Sequence, residues 1–145
     1  MTDSTGIFQH ALFTVPDFHH GYCTDDNARA FILCCLRDNL GGHPPNESLN
    51  RLSSTYLAFL ANALNRDTGG FRNFMSFERR WLEAMGSEDS HGRALWALGT
   101  MVGRAANPDL RTWAASLMER ALPAVSDFTS PRAWAFTLLG LHEYF

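Results

Sequence analysis

The sequence predicts an all-α protein, made of helical hairpins stacked in two layers. Three observations carry this. Fully apolar and one-sided helical segments alternate along the chain, an acidic-to-arginine motif opens the apolar segments, and the breaks carry cap and turn residues. With 145 residues, 46% of them apolar and 19% charged, the chain can close one domain around a real core.

The first apolar helix is predicted over about 25–38. Its centre (Ala28, Ala30, Phe31, Ile32, Leu33, Cys34, Cys35, Leu36) is apolar nearly all round, which calls for burial on most sides. Gly41-Gly42-His43-Pro44-Pro45 then breaks the chain. The second helix, about 48–65, is amphipathic, with Leu49, Leu52, Tyr56, Phe59, Leu60, Ala63 and Leu64 on one face. The third, about 90–104, returns to the apolar type through Ala94, Leu95, Trp96, Ala97, Leu98, Met101 and Val102. The fourth, about 108–122, follows the cap and proline of Asn107-Pro108 and is one-sided. The fifth, about 131–145, follows Ser130-Pro131 and is apolar again. Inner helices at 25–38, 90–104 and 131–145, with outer ones at 48–65 and 108–122, make a single domain over 1–145.

An internal echo supports that order. Ala28-Arg29-Ala30-Phe31, Gly92-Arg93-Ala94-Leu95 and Pro131-Arg132-Ala133-Trp134 each place small-Arg-Ala-bulky near the start of an inner helix. The first two also follow acids, in Thr24-Asp25-Asp26-Asn27 and Ser87-Glu88-Asp89-Ser90-His91. Residues 66–87 form the irregular part. Asp67-Thr68-Gly69-Gly70 signals a turn, and Phe71, Phe74, Phe77 and Trp81 follow among charges. Such a connection either carries function or plugs the core with its aromatics.

Several function classes fall away. A net charge of −3, with arginines scattered and lysine absent, provides no footprint for nucleic acid. No apolar run is long enough for a membrane span, and the first residues lack the pattern of a signal peptide. Three cysteines without a framework point to reduced thiols and a cytoplasmic setting. His19-His20-Gly21-Tyr22-Cys23-Thr24-Asp25-Asp26 gathers metal-ligating side chains, but its spacing fits no zinc pattern, so no metal is expected. No nucleophile elbow, phosphate-binding glycine loop or dinucleotide fingerprint is present, and no cofactor is expected.

The stretches Asp3 to Ala11, Gly21 to Ala30, Phe74 to Trp81, Gly86 to Gly99 and Ser130 to Phe136 resemble those of (α/α) toroid proteins, the six-hairpin glycosidase-like superfamily. More closely, they resemble a bacterial group of toroid domains of unsettled activity found with glycosyltransferases. The resemblance implies alternating inner and outer helices, and loosely implies carbohydrate chemistry. A complete toroid has six hairpins, whereas two and a half are read here. An open edge of inner helices would leave apolar surface in water, so a homo-oligomer covering that edge is expected.

In a toroid the inner helices start on one face. The repeated motif would then gather Asp25, Asp26, Arg29, Glu88, Asp89, His91, Arg93 and Arg132 around one opening. Caps and register pairs account for part of this set. Paired carboxylates beyond that need are what glycosidic bond cleavage uses, one protonated and one ionised. Asp26, Glu88 and Asp89 are therefore the candidate catalytic carboxylates, with His91 as a proton shuttle. Tyr22, Phe71, Phe74 and Trp81 are candidates to stack on sugar rings, and Asp25, Arg29 and Arg93 to bind hydroxyls. The two functional expectations are a sugar-binding or sugar-processing protein, and a non-catalytic helical binding or oligomerisation module derived from a toroid enzyme.

Overall fold

A computed structural model describes residues 1–38 and 47–145. The predicted breaker at 41–45 lies outside the described residues. Among the described residues, five α-helices carry the fold: α1 (Thr24–Asp38), α2 (Glu47–Ala63), α3 (Glu88–Arg104), α4 (Pro108–Ala121) and α5 (Pro131–Tyr144). A 3-10 segment, Leu122–Asp127, extends α4. Among the described residues no helix is long and apolar enough to cross a membrane.

The caps read from the sequence are in place at two helices. Asn107 accepts from the amides of Asp109 and Leu110 ahead of Pro108, and Ser130 accepts from Ala133 N–H ahead of Pro131. Helix α3 starts two residues earlier than expected, because Ser87 is its cap and accepts from Ser90 N–H. At α1 the cap comes from far away in sequence. Thr24 donates its hydroxyl to Arg72 O, while Asn73 Oδ1 accepts from Asp25 N–H and from Cys23 Sγ.

That clamp reflects structure the all-helical reading omitted. Among the described residues two short antiparallel ribbons are present, β1 (Ala11–Leu12) with β2 (Val15–Pro16), and β3 (Tyr22–Cys23) with β4 (Phe74–Met75). The second ribbon lashes the long connection to the entrance of α1. The connection is thereby both plug and wall. Phe71 and Met75 are buried, whereas Phe74 stays exposed at a cleft described below.

Helices α1, α3 and α5 lie side by side, with α3 in the middle; α2 backs α1, α4 backs α3, and α2 touches α4. The core runs between these layers through Phe31, Leu60, Leu95, Leu98, Leu117 and Met118. Full burial of the three apolar helices, however, holds only for α3. On α1, Leu33 is 67% and Leu36 41% exposed; on α5, Trp134 is 46% and Leu138 65% exposed. Helix α3 has neighbours on both flanks and one behind. Helix α5 buries only the stripe Ala133, Thr137, Gly140, the side that meets α3. All three cysteines are buried.

Candidate functional site

The first turns of α1, α3 and α5 open onto one cleft of about 460 Å³. Helix α1 supplies Asp25, Asp26 and Arg29; α3 supplies Asp89, Ser90 and Arg93; α5 supplies Arg132 and Phe136. The long connection adds Asn73 and Phe74, and the N-terminal segment adds Gln9 and His10. These helices have free N–H groups at the same end, which favours carboxylates there.

Most of these charges are already engaged. Asp25 pairs with Arg29 one turn along α1 and accepts from Arg93 Nε of α3 at 3.0 Å. The Arg93 guanidinium also lies 3.8 Å from the centroid of the Phe136 ring, so it ties α1, α3 and α5 together. Asp89 accepts from Arg132 Nε at 2.7 Å and from Ser130 Oγ at 2.8 Å. The Arg132 hydrogen bond, with Ser130 adding to it, holds the Asp89 carboxyl below its usual range.

Asp26 is different. It accepts no hydrogen bond among the described residues, and its nearest cation, Arg29 Nη1, stands 3.8 Å away. Burial raises its pKa and the neighbouring Asp25 adds to the rise, while Arg29 and His10 offset part of it. One cleft thus holds two carboxyls pushed in opposite directions.

Two of the four proposed catalytic residues fall outside it. Glu88 turns toward the chain entering α5, where it accepts from Ser130 N–H at 2.6 Å and Thr129 N–H at 2.8 Å. Those backbone bonds lower its pKa. His91 is buried, with Nδ1 accepting from Phe71 N–H at 3.3 Å and Nε2 donating to Ala121 O at 3.1 Å. Its ring edge meets Phe71 and Phe128, and burial brings its pKa down to about 4. A group with both ring nitrogens engaged and no charge at neutral pH is placed to brace the core, not to move protons in the cleft.

Of the stacking candidates, only Phe74 lines the cleft. Tyr22 is fully buried, and this burial, with its hydrogen bond to Asp3 Oδ2 at 2.6 Å, pushes its hydroxyl up to about 12. Trp81 packs on Phe59 and donates to Asn62 Oδ1 at 2.8 Å, on the α2 side. Gln9, His10, Asn73 and Phe136 line the cleft without any signal in the sequence, because tertiary pairing alone brings them there. Among the described residues no group of three or more His, Cys, Asp or Glu is placed to hold a metal ion.

No family model, no curated protein and no solved structure matches this chain.

Proposed function

We propose that the cleft at the starts of α1, α3 and α5 binds a sugar, and that Asp26 and Asp89 are its working carboxylates. The observation that carries this is the contrast between them: Asp26 is raised by burial and accepts no hydrogen bond among the described residues, while Asp89 is lowered by Arg132. Two carboxyls set apart in this way suit a division into proton donor and ionised partner. Phe74 and Phe136 offer apolar faces for a ring, and the Arg29 and Arg132 side chains line the same cleft. The order of layers, α1, α3 and α5 in front of α2 and α4, supports a partial toroid as the frame. Glu88 and His91 leave the catalytic set and serve as braces.

The test is NMR titration with mannose- and glucose-based oligosaccharides. Amides of the first turns of α1 and α3, and the Asn73 side chain, are expected to shift. No movement there at millimolar sugar would overturn the proposal. If glycosidic bonds are cleaved, Asp26→Asn should reduce turnover by about 100-fold or more while leaving the fold intact.

A second reading, a non-catalytic binding module, is favoured by the ion pairs that consume Asp25, Arg93, Asp89 and Arg132. It predicts that Asp26→Asn weakens sugar binding with no turnover to lose. In either case the exposed apolar residues of α1 and α5 support a homo-oligomer. Light scattering at micromolar concentration should give at least twice the chain mass of 16.2 kDa, and a clean monomer would exclude it.

A further inference from the structure

Asn73 stands in the cleft wall with only 8% of its surface exposed, yet one of its polar groups is left over. Its backbone is fixed from both sides. Thr24 N–H donates to Asn73 O at 2.8 Å, and Asn73 N–H donates to Glu83 Oε1 at 2.8 Å. Gly86 closes on its side chain, since a Cβ added there would lie 2.8 Å from Asn73 Cβ. The side-chain oxygen accepts from Asp25 N–H at 3.3 Å and from Cys23 Sγ at 3.2 Å. A backbone N–H donates and never accepts, so the oxygen faces Asp25 and the amide nitrogen points the other way.

That nitrogen, Nδ2, has no hydrogen-bond partner among the described residues. Among those residues no buried side-chain nitrogen or oxygen lacks a partner, so Nδ2 reaches solvent. The opening that Asn73 lines is the cleft, and Nδ2 is therefore a donor held ready at its surface. Phe74, the next residue on β4, lines the same space, as does Asp26, which follows the Asp25 amide that Asn73 caps. With His10 neutral, the formal charges of the lining balance: Asp25, Asp26 and Asp89 stand against Arg29, Arg93 and Arg132. Such a wall offers an anion no net attraction.

We propose that Asn73 is a specificity-determining residue of the cleft, its Nδ2 donating to a hydroxyl of an uncharged hexopyranose stacked on Phe74. This rests on the reading of the cleft as a sugar site. A donor fixed before binding loses little rotamer freedom when the sugar arrives. A sugar lacking the matching hydroxyl would leave that donor covered and unpaired, which is what makes the contact selective. An anionic sugar would lose hydration in the cleft with no net charge to offset the loss. Uronic acids and sugar phosphates are therefore the poorer ligands.

The experiment titrates the wild type and Asn73→Asp with methyl glucoside, methyl mannoside and their monodeoxy analogues. Asn73→Asp keeps an acceptor for Asp25 N–H and Cys23 Sγ and removes the donor. The Asn73 side-chain amide signals of the wild type should shift in NMR, and affinity should fall about tenfold in Asn73→Asp. One monodeoxy analogue should lose about tenfold against the wild type and far less against Asn73→Asp, which separates a lost contact from a disturbed fold. Asn73→Ala, read against the same series, guards against an effect of the added charge. Methyl glucuronide should bind the wild type more weakly than methyl glucoside. Equal sugar affinity in the wild type and both variants, or every deoxy analogue losing alike in all three, overturns the role of Asn73. A glucuronide that binds as tightly as the glucoside overturns the uncharged class. No binding of any sugar to the wild type at millimolar concentration overturns the cleft reading, and this inference with it. Failure of Asn73 alone leaves binding intact, so the two failures are distinct.

Discussion

Acidification from pH 7 to pH 4 is expected to cost the fold about 3 kcal/mol through His91 alone. In the unfolded chain this imidazole takes a proton near pH 6.5; folded, it resists until about 4, because burial penalises the charge. Above pH 6.5 it is neutral in both states and contributes nothing to the pH dependence. Between 6.5 and 4 only the unfolded state binds the proton, so stability falls throughout that window. Urea unfolding at half-unit pH steps should show a slope approaching 1.4 kcal/mol per pH unit in its middle. The lowered carboxyls, Asp89 and Asp3 among them, add a separate loss that begins nearer their own range. His91→Asn should flatten the upper window. It should also destabilise the protein at pH 7 by about 2 kcal/mol, since Ala121 O loses its donor and the aromatic pocket is left underfilled. Equal stability at pH 5 and pH 7 in the wild type would refute the assignment of His91 as a neutral brace.

Replacing Gly99 by Ala should lower stability by about 3 kcal/mol and Tm by about 10 °C. In an open helix the same change would gain up to about 1 kcal/mol from helix propensity. Sterics reverse the sign here, because a Cβ on Gly99 would stand 2.0 Å from Gly140 O of α5. The approach is reciprocal, since a Cβ on Gly140 would be 2.5 Å from Leu95 O. Both obstacles are backbone atoms, so α5 must move as a body. Moving it strains the Arg104–Glu143 pair, with contacts of 2.6 and 2.7 Å, and shifts Phe136 away from Arg93 in the cleft wall. Thermal unfolding tests this directly, and a Tm unchanged or raised in Gly99→Ala would show that α5 does not pack this closely. Loss of sugar-induced shifts at α1 in the same variant would link the α3–α5 contact to the site.

Much of the helical frame was legible because its signals are local. Asn107-Pro108 and Ser130-Pro131 are complete start signals within two residues, and the structure uses both. The one-sided stripe of α4 buries Ala114, Leu117, Met118 and Ala121 through spacing alone. The glycines Gly92, Gly99 and Gly103 share the helical spacing of one face, but nothing local says that another backbone rests there. The apolar content of α5 predicts full burial, but the structure leaves Trp134 and Leu138 exposed, because burial depends on how many neighbours a helix has.

The site divides along the same line. The repeated acid-to-arginine motif determined that Asp25, Asp26, Asp89, Arg29, Arg93 and Arg132 stand at helix starts, because capping and dipole effects act within one turn. Only the tertiary structure decided which of them face one another, since that depends on how α1, α3 and α5 are aligned. It turned Glu88 toward the Ser130 amide and buried His91 between Phe71 and Ala121. It also brought Asn73 to the cleft through the pairing of β3 with β4, and His10 through the bridge of Phe8 to Tyr22. Local free energies of about 1 kcal/mol place a residue on its helix. Its charge state and its partner follow from burial, which no single segment of the chain contains.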